Sequence, residues 1–179
     1  MKRQRKYYRI YSTKPKHILA TLLFCFLLSN SYSQPSKKYT SLQNALANID
    51  SVFILDLSGK KLNSLPHEIG ELKHLKTLIL KNNRLSNLPI ECQKLNELET
   101  IDLSKNKFEE FPILLKTLNR LNRIILNRNL INKIPNDIKY FKNLKYLDLW
   151  SNEIDYISDS IGELKKLEGE EKRYKLTPV

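Results

Sequence analysis

Glycine is scarce in this sequence, with 4 among 179 residues. A loop that cradles phosphate needs clustered glycines so that backbone amides can close on the anion, and no such cluster occurs. There are 2 cysteines, Cys25 and Cys92. Cys25 falls in a segment expected to be removed, which leaves no second thiol for a disulfide within the chain. Of the 3 histidines, His17 falls in the same segment. His67 and His74 have no cysteine or carboxylate at ligand spacing, so neither metal nor cofactor is expected. Long apolar runs are lacking too: the stretch from Ile18 to Leu28 is too short to span a bilayer comfortably. No catalytic constellation stands out, and an enzyme is not expected.

Charge is one-sided, with 31 Lys and Arg against 19 Asp and Glu, a net +12. Such an excess can mark a nucleic-acid binder, but its distribution argues otherwise. Seven of the cations (Lys2, Arg3, Arg5, Lys6, Arg9, Lys14, Lys16) precede the first acidic residue and lead into the Ile18–Leu28 run. Ser31, Tyr32 and Ser33 follow and offer small residues at a cleavage point. This order predicts an export signal over residues 1–33. The long basic stretch keeps an uncleaved anchor as the alternative. Leu22-Leu23-Phe24-Cys25 has the outline of a lipoprotein box, but Phe24 is bulky before the cysteine. Taking the seven cations from +12 leaves +5 for the remainder, spread over Lys-rich turns as a solvated surface. Neither nucleic acid nor membrane is expected as a partner of the mature chain. The expected location is exported from a bacterial cell: periplasm, cell surface or medium.

What the chain does have is a period. Leu75, Leu98, Leu121, Leu144 and Leu167 stand 23 residues apart, and Val52 holds the same slot one period earlier. A fixed period in this range marks a solenoid, in which each unit buries its apolar face against its neighbours. Counting each of these residues as slot 1, slot 4 is always aliphatic (Leu55, Leu78, Ile101, Ile124, Leu147), and so is slot 6 (Leu57, Leu80, Leu103, Leu126, Leu149). Apolar alternation predicts a strand with slots 4 and 6 inward and slots 3, 5 and 7 outward. Slot 9 holds Asn83, Asn106, Asn129 and Asn152, but Lys60 in the first unit. An amide there can satisfy backbone groups at the turn, whereas Lys60 predicts a solvent-facing turn. Pro66, Pro89, Pro112 and Pro135 are placed at the first helical position of a short helical turn, with Ser158 in the fifth unit.

The stretch Leu144-Lys145-Tyr146-Leu147-Asp148-Leu149-Trp150-Ser151-Asn152-Glu153-Ile154 reads L-x-x-L-x-L-x-x-N-x-L, and Ile134-Pro135 with Ile138 and Phe141 reads L-P-x-x-I-x-x-L. From Val52 to Leu167 the chain resembles the leucine-rich-repeat family in its 23-residue form. That resemblance implies an α/β solenoid: a right-handed coil with a parallel concave sheet, and short helical or 3-10 turns on the convex side. It also implies a buried asparagine ladder between repeats and, most often, a protein ligand.

Residues 34–51 are expected to form a polar linker, Gln34 to Lys38, and a capping helix, Tyr39 to Asp50, with Leu42, Ala45, Leu46 and Ile49 on one face. Leu42, Leu46 and Ile49 lie 23 residues before Leu65, Ile69 and Leu72, as a half-repeat would. Five repeats are expected over 52–167 and a charged tail over 168–179, readable as a truncated sixth repeat; either Tyr174 and Leu176 fold back over the last unit or its strand edge is left exposed.

The outward strand slots form the candidate binding face. Its residues include Ile79 and Lys81 in the second unit, Arg123, Ile125, Asn127 and Arg128 in the fourth, and Tyr146, Asp148 and Trp150 in the fifth. Slots 3 to 7 of the third unit add Thr100, Asp102 and Ser104. Aromatic and Arg side chains are the types enriched where binding energy concentrates. The competing reading makes Trp150 a cap over the last strand. Slot 5 (Asp56, Ile79, Asp102, Ile125, Asp148) sets aspartates two strands apart, roughly 10 Å. An open sheet offers them no pocket to shift a pKa, so acid catalysis on a carbohydrate is disfavoured. The sequence therefore points to a non-enzymatic binder of an unidentified protein, acting as a monomer. Self-assembly through the last repeat edge is the alternative.

Overall fold

Strands form where the inward slots demand them. The computed structural model describes residues 37–167; the segment expected to be an export signal, Cys25 and the 168–179 tail with its expected cap lie outside the described residues. Six strands build one parallel sheet in the order β1 (Lys38–Tyr39), β2 (Ile54–Asp56), β3 (Thr77–Ile79), β4 (Thr100–Asp102), β5 (Arg123–Ile125) and β7 (Tyr146–Asp148). From β2 onward, the 23-residue spacing is also the strand register: Thr77 pairs with Thr100, Thr100 with Arg123, and Arg123 with Tyr146. Just beyond the strands, the slot-6 amide of each unit donates to the slot-5 carbonyl of the next. Leu57, Leu80, Leu103 and Leu126 do so at 2.8 Å each. Slots 4 and 6 are buried in every unit and meet the apolar residues of the return path, such as Leu85, Cys92, Leu115 and Ile138. The result is a leucine-rich-repeat coil.

The return path is a 3-10 turn in each unit: His67–Glu71, Ile90–Lys94, Ile113–Thr117, Asn136–Tyr140 and Asp159–Glu163. The prolines precede these turns instead of opening them. Each carbonyl accepts the amide three residues on, Ile69 to Pro66 at 3.2 Å and Cys92 to Pro89 at 3.0 Å. Proline is therefore the cap, with φ between −66° and −78°. Ser158 caps the fifth turn with its hydroxyl, which accepts from Ser160 N at 3.1 Å. A second, two-stranded sheet, β6 (Lys133–Ile134) with β8 (Tyr156–Ile157), lies on this return path and has no counterpart in the sequence reading.

The N-terminal end also differs from expectation. Lys38 and Tyr39 are not linker and helix but β1, paired with Ile54 and Leu55. The helix is only α1 (Leu42–Leu46), followed by a 3-10 turn at Ile49–Ser51. The reason is Tyr39. Its ring is buried and its hydroxyl meets Ser51 Oγ at 3.0 Å, which ties this segment flat against β2 and covers that strand's edge. Ser41 then caps α1 by accepting from Asn44 N, and Ala45 is its fully buried residue.

Candidate ligand-binding face

Three consecutive residues at each strand end set the geometry of the outward face. The slot-8 residue is left-handed in all five units: Gly59 (φ 68°), Asn82 (58°), Lys105 (55°), Arg128 (56°) and Ser151 (58°). Glycine and asparagine adopt this conformation readily, but other side chains meet a penalty of about 1–2 kcal/mol. The kink reverses the chain so that the slot-9 asparagine turns inward. Asn106 Oδ1 accepts from Leu85 N at 3.0 Å, while its Nδ2 donates to Leu80 O and Leu103 O, each at 3.0 Å. Asn83, Asn129 and Asn152 repeat this pattern on their own neighbours. Lys60, in the same slot, is exposed instead.

The slot-5 aspartates serve the turn as well. Asp56, Asp102 and Asp148 accept the slot-7 amides of Ser58, Ser104 and Trp150 at 3.0, 2.9 and 3.0 Å. Asp148 Oδ2 also accepts from Asn127 Nδ2 at 2.6 Å. Partial burial by itself would raise the Asp56 carboxyl, but hydrogen bonds from the Ser58 hydroxyl, Lys38 and the Ser58 amide outweigh it. The net result is a lowered pKa.

Above these carboxylates lies a shallow depression of about 470 Å³. Ile125, Asn127, Arg128, Tyr146, Asp148, Trp150 and Lys81 line it, together with Asp102, Ser104 and Lys105. Arg123 flanks it with its guanidinium 3.7 Å from the Tyr146 ring centre, and Arg128 stands 5.2 Å from that of Trp150. Ile79 lies on β3 and does not line the depression. Trp150 is 40% exposed. Ser104, expected outward, is buried, because Lys81 and Asn127 occupy the same slot on either side and are longer. Lys105 was missed by the sequence reading, although it shares slot 8 with Arg128.

Residues 35–169 match the family model described as a leucine-rich repeat region. The chain belongs to the leucine-rich-repeat family. Among solved structures it is similar to a leucine-rich-repeat protein of Leptospira interrogans. The two are 30% identical over 73% of this chain and 39% of that one, with a TM-score of 0.59. It is also similar to the plant peptide hormone receptor RGFR1 in complex with RGF2, at 28% identity, 64% and 23% coverage, and TM-score 0.52. The functional domain of InlJ from Listeria monocytogenes shares the fold at 18% identity, 68% and 25% coverage, and TM-score 0.56. The leucine-rich-repeat chain thus spans well under half the length of each. No curated protein matches. Members of this family are typically interaction modules that bind proteins.

Away from the face, Cys92 is fully buried on the return path. Burial, and then the charge of Glu91, push its thiol up to about 12. In the unfolded chain the thiol ionises near pH 8.5. Its contribution is fully present below that pH and is lost as pH rises toward the folded value. Between pH 7 and 10 the wild type should therefore lose about 1–2 kcal/mol more than Cys92→Ala. Paired urea unfolding curves at the two pH values read this difference, and equal losses would contradict it.

Proposed function

We propose that this leucine-rich-repeat chain is an exported, non-enzymatic module that receives a protein ligand on the concave sheet, in the depression between β4 and β7. The observation that carries this is the stacking of Arg123 on Tyr146 and Arg128 on Trp150. These contacts hold exposed aromatic surface and guanidinium edges in place, so little side-chain entropy remains to be lost on binding. The peptide hormone receptor among the similar structures favours a peptide or protein ligand. A catalytic role for the aspartates is disfavoured because they stand on an open sheet face and one oxygen of each already accepts a slot-7 amide. Export rests on the order of charge and hydrophobicity in residues 1–33. N-terminal sequencing of the protein recovered from producing cells should begin close to Gln34, and a start at Met1 would refute cleavage.

The binding test is a pull-down with this recovered protein beside its Tyr146→Ala/Trp150→Ala variant, both with native circular dichroism. A protein captured by the first and lost by the second supports the reading. Equal capture by both overturns it. Self-assembly has one observation in its favour: among the described residues, the outer edge of β7 pairs with no strand. A mass by light scattering that stays at one chain up to high concentration would remove that alternative.

A further inference from the structure

Building on that protein-binding reading, we propose that the ligand is an acidic, extended segment whose carboxylates lie across Lys81, Lys105, Arg123 and Arg128. The face carries cations that no described carboxylate pairs. Among the described residues, none of these four cations takes part in an ion pair. One oxygen of each neighbouring carboxylate, Asp102 and Asp148, is engaged by a slot-7 amide, and Asp148 also accepts from Asn127. Four cations on or beside the depression outnumber its two aspartates, so its net charge is positive, and Tyr146 and Trp150 lie among them.

Two of the cations also sit at a conformational cost. Slot 8 is left-handed, and in the first two units it holds Gly59 and Asn82, which suit it. In the third, fourth and fifth it holds Lys105, Arg128 and Ser151, which do not, and the first two of these line the depression as cations. Strain of this kind collects where function requires a particular side chain. Lys81, Lys105 and Arg128 come from three consecutive units and cross the sheet as a lane, with neighbouring strands about 4.8 Å apart. Three consecutive strands span about 10 Å, which roughly three or four extended residues cover. Stacking covers one face of each guanidinium and leaves its N–H edge free for a two-point carboxylate contact. Nucleic acid fits less well. Asp102 and Asp148 lie between the cations, where a continuous phosphate chain would meet them, whereas discrete carboxylates can step past.

The test uses the protein recovered from cells and three labelled probes: a Glu/Ser peptide of about eight residues, its Gln/Ser counterpart, and single-stranded oligo(dT). Fluorescence anisotropy should show the Glu/Ser peptide binding about tenfold tighter than the Gln/Ser one at low salt, with the margin shrinking as salt rises. Lys81→Gln/Lys105→Gln leaves Arg123, Arg128 and their aromatic contacts in place and should cut that preference several-fold, and Lys105→Glu, the same change of two charges, should cut it by a similar factor. Equal binding of the two peptides overturns the proposal, as does tighter binding of oligo(dT). If Lys81→Gln/Lys105→Gln captures the pull-down partner as well as wild type does, the acidic-ligand proposal fails while the protein-binding reading stands. Loss of capture in this variant, with native melting, supports both.

Discussion

Replacing Asn106 with alanine should lower the free energy of unfolding by about 3–5 kcal/mol. The side chain serves four backbone groups at once: the Leu85 amide, the carbonyls of Leu80 and Leu103 and, at 3.3 Å, that of Ser104. All lie where the residue is buried, 9% exposed. Each group left unpaired costs roughly 1–3 kcal/mol, and relaxation recovers part of the sum. Asn106→Asp should be no rescue, because it keeps the acceptor but loses both donors and buries a charge. The internal control is Asn152, which has the counterparts of the first three partners one unit from the described end but is only half-buried. Water can reach those groups, so Asn152→Ala should cost less than half as much. Urea unfolding followed by circular dichroism measures both, and equal losses would show that burial does not set the cost.

Phe108→Ala comes next, at about 3–5 kcal/mol. Phe108 heads the largest fully buried side chains, at 1% exposure. Its slot holds Leu62, Leu85, Ile131 and Ile154 in the other units, so the third unit fills more volume there. The backbone around it cannot follow a shrinking side chain. Its amide donates to Asn129 Oδ1 at 3.1 Å, and its carbonyl accepts from Leu130 N at 2.8 Å. A cavity should therefore persist, which puts the loss at the upper end of its range. Phe108→Leu restores the slot's usual occupant and should cost about 1–2 kcal/mol. If alanine and leucine behaved alike, the site would be collapsing freely.

Most of this architecture is legible from one period, because slot and strand register are the same number. That coincidence placed Arg123 beside Tyr146 on paper, and the structure pairs them. The parts that were not legible have particular reasons. β1 is two residues long, too short to alternate, and depends on Tyr39 finding a burial site 16 residues before Leu55, off the period. The left-handed kink announces itself only through Gly59 and Asn82; Lys105, Arg128 and Ser151 carry no local sign of it. The burial of Ser104 on the outward face depends on the length of its neighbours, not on its own polarity.

The asparagine bonds also have a direction. Each slot-9 amide reaches back to the unit before it: Asn83 to Leu57 and Leu62, Asn129 to Leu103 and Phe108, Asn152 to Leu126 and Ile131. No unit completes its own turn. A chain emerging from its N-terminus therefore stays one repeat behind in ordering, each turn waiting for roughly the next 23 residues to arrive before its buried amide and carbonyl are satisfied. During synthesis the domain should therefore close like a zipper, with each newest unit the loosest until the next one arrives.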